Sequence, residues 1–151
     1  MTAADIEIRL PRAGDHAAWL PLWRGYQAFY DADIPNEVSA VTWTRLLDPA
    51  EPMACALAWD GDAAIGMVHY IRHRSCWTVG DYCYLQDLFV APAARGTGVG
   101  RKLIEHVYET ARREGCSRVY WLTQEGNTVA RQLYDRIAGR SGFIQYRHGL
   151  A

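Results

Sequence analysis

A glycine-rich loop that follows an apolar run and opens an amphipathic pattern constrains the fold more than any other segment. Residues 82 to 90 are mostly apolar and predict a buried strand. Residues 98 to 114 predict a helix, because apolar residues recur at helical spacing from Val99 to Ala111. A loop between such elements lies at the carboxyl end of its strand, which is where α/β proteins usually bind ligands.

The rest of the chain predicts strands and helices in an order typical of a mixed α/β fold. Ile6 to Leu10 alternates like a half-buried strand, and Asp15 is placed to cap a helix that Pro21 kinks or delays. The aromatic face of that helix, from Trp19 to Tyr30, is expected to pack in the core. Asp60-Gly61-Asp62 predicts a hairpin turn. The other predicted elements are strands at 53–59, 64–71, 118–123 and 143–147 and helices at 38–47 and 127–138. One side of the last helix is expected to carry its apolar residues, which are Val129, Ala130, Leu133, Tyr134 and Ile137. No linker or repeat interrupts this order, so we expect one domain over residues 1–151.

Composition argues against several classes of function. Half of the residues are hydrophobic and 22% are charged, as in a soluble globular protein. The formal net charge of −1 argues against nucleic acid as a partner, because neutralising many phosphates requires a basic face. Residues 1–10 hold no apolar run long enough for a signal peptide or a membrane span, so we expect a cytoplasmic protein with no membrane partner. The four cysteines lack zinc-ligand spacing, so we expect free thiols, buried or half-buried, and no metal.

The glycine loop, residues 95–100, has the composition of an anion site. Unhindered backbone N–H groups at a helix N-terminus favour negative charge, and a pyrophosphate fits that description. The loop is not a P-loop, because Lys102 follows Arg101 and not a glycine. It is not a dinucleotide-binding fingerprint either, since Arg101 stands where the third glycine would be. At this point a second interpretation stays open, in which the glycines only form a tight turn into the helix.

The pattern Arg95-x-x-Gly98-x-Gly100 after an apolar strand resembles the acetyl-CoA motif of the GNAT superfamily of N-acetyltransferases. A second block of that superfamily is matched by Asn127, Ala130 and Tyr134 on the next predicted helix and by Gly142-Phe143 after it. The resemblance implies a central, mostly antiparallel twisted sheet with a splayed parallel strand pair, flanked by helices. It also implies acetyl-CoA as co-substrate, with no metal. The residues that it assigns to acetyl-CoA are Leu88, Phe89, Val90, Arg95, Gly96, Thr97, Gly98, Val99, Gly100, Arg101, Asn127, Ala130 and Arg131.

Within the superfamily, residues 84–90 and 120–124 resemble the branch of polyamine and histone/polyamine acetyltransferases. The implied function is direct transfer of the acetyl group to a primary amine, with a small cationic amine or a polyamine as acceptor. Members of that branch often have an acidic residue where this chain has Gln86, and an amide cannot act as a general base. Two alternatives remain: acetylation of protein lysines or N-termini, and a non-catalytic acetyl-CoA sensor.

The chemistry requires groups that take a proton from the amine and return one to the thiolate. The resemblance assigns the second role to Tyr134, although packing on the apolar side of its helix would also explain that residue. It assigns stabilisation of the oxyanion to backbone N–H groups of residues 88–90. The candidates for the base are Asp87, Glu125, His69 and His73, and Asp87 stands beside the usual acidic position.

Acceptor selection is expected from the first half of the chain together with Gln86. Asp31, Asp33 and Glu37 cluster in one predicted loop, where they would attract a cation or simply form a solvated turn. Aromatic residues such as Trp43, Trp77 and Tyr82 could form a wall for an ammonium. The predicted last strand could leave a pairing edge, so we expect a homodimer.

Overall fold

The computed structural model describes residues 5–150. Contacts divide the chain into two compact units, one ending at Trp121 and one beginning at Leu122. The first unit contains β1 (Glu7–Arg9), α1 (His16–Phe29), α2 (Asn36–Leu47), β2 (Met53–Asp60), β3 (Ala63–His73), β4 (Tyr82–Val90), α3 (Val99–Arg113) and β5 (Arg118–Tyr120). The second unit contains α4 (Thr128–Ile137).

The strands of the first unit form one sheet in the order β1-β2-β3-β4-β5. The first four strands pair antiparallel, and β5 pairs parallel with β4. That parallel pairing runs only from Tyr82 to Tyr84 on β4, so β4 continues to Val90 without a strand neighbour on that side of the described sheet. The predicted mostly antiparallel sheet with a splayed parallel pair is therefore confirmed.

Strand residues alternate between the two faces of this sheet, and helices cover both faces. On one face Leu57 and Met67 pack in a cluster with Trp19 and Trp23 of α1 and with Trp43 of α2. The other face is covered by α3, whose apolar stripe is buried as predicted: Val99, Leu103, Ile104, Val107 and Ala111. This stripe approaches β3 so closely that a Cβ at Gly66 would lie 3.1 Å from Leu103 Cδ1.

Several predicted boundaries differ from the structure. The helix expected to kink or start late at Pro21 begins at His16 and includes Pro21. Asp15 precedes it without a side-chain cap, since its Oδ2 accepts a hydrogen bond from the Arg12 backbone instead. The strand predicted over 118–123 ends at Tyr120. Cys76 is exposed, whereas we expected each of the four free cysteines to be at least half-buried.

The strand predicted over residues 143–147 is wrong, because the structure assigns no strand there. Its apolar side chains face solvent, with Phe143, Ile144 and Tyr146 exposed by 82%, 76% and 87%. A strand is stabilised by pairing its backbone groups with a neighbour, and alternation in sequence does not supply that neighbour.

The second unit is small, and α4 contains no buried residue. Ala130, Leu133 and Ile137 are half-buried along one side, as the helical spacing predicts. Val129, predicted to share that side, is 80% exposed. Within the part of the chain that the structure describes, no helix is long and apolar enough to cross a membrane.

Candidate active site

A β-bulge in β4 decides where the Asp87 side chain points. Tyr70 of β3 pairs with Leu85, but its neighbour His69 pairs with Asp87, so Gln86 is an extra residue on β4. Tyr70 contacts His106 of α3, which places Leu85 on the α3 face of the sheet. Because side chains alternate with period two, an unbulged strand would turn Asp87 to the same face. The extra residue instead turns Asp87 to the α1 face.

On the α1 face, Asp87 belongs to a buried chain of hydrogen bonds. Its Oδ2 lies 2.9 Å from Nδ1 of His69, and Nε2 of His69 lies 2.9 Å from Nε1 of Trp19. All three residues are buried, and Trp19 is completely so. The carboxylate therefore ends a chain that crosses from α1 through β3 to β4.

Tyr26 of α1, and Tyr30 directly after the end of that helix, interact with this carboxylate. Burial, and then the charge and hydrogen bonding of Asp87, raise the pKa of the Tyr26 hydroxyl well above its usual value. Burial and the charge of Asp87 likewise raise the pKa of Tyr30. Their ring centroids are 4.9 Å apart, and both residues are half-buried. A carboxylate among aromatic rings offers a cation both a counter-charge and π-faces.

The predicted acidic loop begins directly after Tyr30. Asp31, Asp33 and Glu37 are all exposed, and Asp31 has a left-handed backbone with φ of 52°. The placement of Glu37 in the loop is wrong, because α2 begins at Asn36 and holds Glu37 in its first turn. The side chain of Gln27 holds the loop by accepting a hydrogen bond from the Ile34 backbone at 2.9 Å. The loop thus follows Tyr30, whose hydroxyl pKa is raised by burial and by the charge of Asp87.

The other expected acceptor-site residues are more scattered. Gln86 is exposed at the bulge. His73 is exposed and bonds to the Tyr120 hydroxyl at 2.7 Å, and Glu125 is exposed in the second unit. The expected aromatic wall is wrong for Trp43, which is buried in the core cluster. Trp77 is 78% exposed, and its part in such a wall stays a prediction.

The glycine loop departs from ordinary backbone conformation at two positions. Gly96 and Gly98 have φ of 81° and 88°, in the left-handed region that favours glycine. Gly98 is the N-cap of α3, and the first helical bond runs from the Lys102 backbone to the Gly98 carbonyl. The amides of the first helical turn before Lys102 have no partner within the helix, so they are available to an anion.

The space around this loop suits a pyrophosphate group. A Cβ at Gly96 would meet nothing within 4 Å, and one at Gly100 would meet only Val90 Cγ2 at 3.8 Å. Packing within the described chain therefore requires a glycine at neither of these two positions. At Gly100 no left-handed φ requires one either, so its missing side chain serves to leave the backbone amides approachable. This observation favours the anion site over a simple turn and fits the coenzyme A that the resemblance implies.

Arg95 is fixed at the start of the loop. Its Nε donates to the Val90 carbonyl at 3.0 Å, and its guanidinium lies 5.4 Å from the ring centre of Phe89 and 5.8 Å from that of Phe29. Arg101 forms an exposed ion pair with Glu105 one turn along α3. Leu88, Phe89 and Val90 are half-buried on the part of β4 beyond its pairing with β5.

The second unit carries the remaining predicted residues. Asn127 does not cap α4 with its side chain, because its Nδ2 lies 3.4 Å from Thr123 Oγ1. Arg131 donates to the Glu125 carbonyl at 2.6 Å. Ala130 and Tyr134 are half-buried on the same side of α4. Their roles toward acetyl-CoA remain predictions.

The structure adds site residues that sequence reasoning assigned to the core. Tyr26 and Tyr30 continue the aromatic face of α1, whose Trp19 and Trp23 are indeed core residues. Helical spacing alone does not distinguish the core pair, Trp19 and Trp23, from the pair near Asp87, Tyr26 and Tyr30. The available signal was a polar residue, His69, inside an apolar hairpin strand, because a buried polar group needs a partner.

No group of three His, Cys, Asp or Glu side chains that could hold a metal ion occurs among residues 5–150.

The chain is similar to proteins of one known family. The acetyltransferase (GNAT) family model matches residues 18–139. D-amino-acid N-acetyltransferase HPA3 of Saccharomyces cerevisiae is 41% identical over 144 residues, which cover 94% of this chain and 89% of that protein. Thialysine N-epsilon-acetyltransferase of Sus scrofa is 35% identical over 92 residues, which cover 61% of this chain and 49% of that protein.

A solved structure shows the same fold at low sequence identity. Aminoglycoside N-acetyltransferase AAC(6')-Iy in complex with CoA superposes with a TM-score of 0.83 at 18% identity, over 97% of this chain and 95% of that one. The family match spans most of the chain, and the yeast relative aligns along nearly its whole length. This chain therefore belongs to the GNAT acetyltransferase family, whose co-substrate is acetyl-CoA.

Proposed function

We propose that this protein transfers the acetyl group of acetyl-CoA to the primary amine of a small cationic acceptor, by direct attack within a ternary complex, and that residues 1–151 act as one domain. The observation that carries the proposal is the construction of β4. One strand holds the buried Asp87 carboxylate and ends at Val90, whose carbonyl anchors Arg95 of the glycine loop. An acceptor bound at Asp87 and a pyrophosphate bound at the loop would thus be positioned by the same strand.

The surroundings of Asp87 favour a cationic acceptor. Its carboxylate would pair with an ammonium, and the rings of Tyr26 and Tyr30 would add cation–π attraction. The exposed carboxylates of Asp31, Asp33 and Glu37 would raise the local concentration of cations, and the Gln86 amide could hydrogen-bond the acceptor at the rim. Polyamines fit this chemistry, and the names of the D-amino-acid and thialysine relatives extend the candidates to amino-acid amines.

Asp87 would act as the proton acceptor. A primary alkylammonium must lose a proton before its nitrogen can attack. Asp87 takes that proton, and the nitrogen lone pair then forms the new N–C bond. The nitrogen releases its second proton to solvent as the C–S bond breaks and the amide forms. Backbone N–H groups of residues 88–90 would stabilise the oxyanion, and Tyr134 would give its hydroxyl proton to the leaving thiolate and regain one from solvent.

The remaining residues would hold acetyl-CoA, which supplies the acetyl thioester. Backbone amides from Gly96 to Arg101 would bind the pyrophosphate, with the Arg101 guanidinium at its edge. Asn127, which precedes α4, and Ala130 and Arg131 of α4 would line the pantetheine arm, as the family motif implies.

An acceptor panel tests the proposal. The protein is incubated with acetyl-CoA and spermidine, lysine, D-amino acids or a lysine-containing peptide, and released thiol is measured. Turnover with free cationic amines supports the proposal, whereas turnover with the peptide alone would indicate a protein acetyltransferase. Acetyl-CoA binding by calorimetry without turnover on any acceptor would indicate a sensor.

We also propose a homodimer in the cytoplasm. The exposed Phe143, Ile144 and Tyr146 support the dimer, since a second copy would remove their apolar surface from water. Sedimentation equilibrium tests it: a monomeric mass at micromolar concentration would contradict the dimer.

A further inference from the structure

We propose that His69 is a positioning residue that presents the Asp87 carboxylate to the acceptor, and that Trp19 fixes His69 in the tautomer this requires. The inference deepens the proposed function and rests on it for the role of Asp87. It removes His69 from the candidate bases and gives two core residues a part in the reaction.

The tautomer follows from the chemistry of the indole group. An indole N–H donates and cannot accept, so the 2.9 Å contact from Trp19 Nε1 requires an unprotonated Nε2 on His69. The ring proton of a neutral His69 then lies on Nδ1. From there it is donated to Oδ2 of Asp87, also at 2.9 Å.

This arrangement prevents His69 from taking the proton that Asp87 accepts. Nδ1 already carries hydrogen, and Nε2 is occupied by a donor. The proton from the acceptor ammonium therefore stays on Asp87 as a carboxylic acid until it passes to solvent before the next turnover. His69 only directs the carboxylate, by binding one of its oxygens and leaving the other lone pairs for Tyr26 and the acceptor.

The ring of His69 is held in place by its neighbours. Its centroid lies 6.0 Å from that of Trp19 and 5.2 Å from that of Trp23. Across the hairpin its partner is Cys55, whose thiol pKa is raised by burial and then by the charge of Asp87. The ionisable groups facing the His69–Asp87 pair thus include that protonated thiol and the protonated hydroxyls of Tyr26 and Tyr30. The ring has little room to flip and exchange its two nitrogens.

Two amide substitutions separate positioning from packing. His69→Asn places an amide near the Nδ1 position and can still donate to Asp87, whereas His69→Gln places its amide near Nε2 and can accept from Trp19 only. Both replace an aromatic ring with a smaller side chain, so each controls for the stability loss of the other. We expect kcat of His69→Asn to remain within about threefold of the parent and kcat of His69→Gln to fall by about tenfold or more, on the scale of general base catalysis. Calorimetric acetyl-CoA affinity should be similar in both.

Equal loss of kcat in the two variants, or no loss in either, would overturn the positioning role. The tautomer is tested without any activity, by ¹⁵N NMR of the histidine rings at neutral pH with His69→Gln to assign the resonance. We expect Nδ1 of His69 to show a protonated, pyrrole-type shift and Nε2 an unprotonated one. A protonated Nε2 would refute the tautomer even if Asp87 proves to be the base. A correct tautomer in a protein without turnover would instead leave the proposed function at fault.

Discussion

The Nε of Arg95 donates a hydrogen bond to the carbonyl oxygen of Val90 at 3.0 Å, which ties the first residue of the glycine loop to the last residue of β4. The phenyl rings of Phe29 and Phe89 lie near the same guanidinium. The position of the Arg95 guanidinium is therefore set by this hydrogen bond and these ring contacts, and not by charge alone.

Arg95→Lys keeps the charge but loses the planar group and the Nε donor. We expect acetyl-CoA affinity to fall by about tenfold or more, because one hydrogen bond from a charged group contributes about 1.5 kcal/mol or more. Titration calorimetry measures it, with Arg113→Lys at the exposed end of α3 as the matched control. Equal affinities for the two variants would mean that charge alone matters at position 95.

Gly100→Val tests whether backbone amides bind the pyrophosphate. Gly98 is less suitable, because its φ of 88° would strain any substituted residue. At Gly100 the new Cβ would meet only Val90 Cγ2 at 3.8 Å, so the melting temperature should change little. We expect acetyl-CoA affinity to fall by about tenfold to hundredfold, since hydrogen bonds to a charged group contribute about 1.5–3 kcal/mol each. Gly14→Val, at a second open glycine outside the loop, serves as the control, and unchanged affinity in Gly100→Val would reduce the loop to a turn.

Asp87→Asn keeps the shape of the side chain and removes its ability to take a proton. We expect kcat to fall by about a hundredfold to ten-thousandfold with acetyl-CoA affinity nearly unchanged. Raising the pH should recover part of the loss, because the acceptor amine then arrives deprotonated. Steady-state kinetics at saturating acetyl-CoA and several pH values measures both effects. A loss that does not depend on pH would point to a binding role for Asp87.

Tyr134→Phe removes only the hydroxyl that would protonate the leaving thiolate. A packing tyrosine should tolerate the change, whereas a general acid should lose about a hundredfold in kcat, the low end of the usual range, because a thiolate leaves readily. Acetyl-CoA affinity should stay constant. Steady-state kinetics decides, and less than about a threefold loss on that scale would return Tyr134 to a packing role.

The acidic loop is tested by Asp33→Asn combined with Glu37→Gln. Both side chains are exposed, so the fold should be unaffected. We expect the KM of a polyamine acceptor to rise at low salt and the difference to shrink as salt increases, because exposed charges are screened. Asp62→Asn with Glu109→Gln removes the same charge elsewhere and should leave KM unchanged. If both double variants raise KM equally, the loop has no special part in selection.

Periodicity was sufficient to predict the strand before the glycine loop and the helix after it. The apolar run before Ala91, the glycines and the stripe of α3 are local patterns, and the structure keeps them within a residue or two. The hairpin turn at Gly61 was equally local, since a φ of 59° suits the Asp-Gly chemistry there.

The acceptor site could not be predicted in the same way, because it depends on long-range register. Nothing in the local sequence shows that Gln86 is an extra residue against β3, and with plain alternation Asp87 would be assigned to the other face. Tyr26 has the same helical spacing as the core residues of α1, so only the partner on β4 distinguishes it. The strand predicted at 143–147 failed for a related reason, since pairing depends on a neighbour that alternation does not specify.

The bulge in β4 makes Gln86 dispensable for the pairing of this strand. Leu85 pairs with Tyr70 and Asp87 with His69, so a strand without Gln86 would keep both pairings with ordinary alternation. Asp87 would still face α1, and the strand would lose only one exposed side chain and the local bend of a bulge. The chain should therefore tolerate the loss of this one residue, whereas the loss of either neighbour would move a paired side chain out of register.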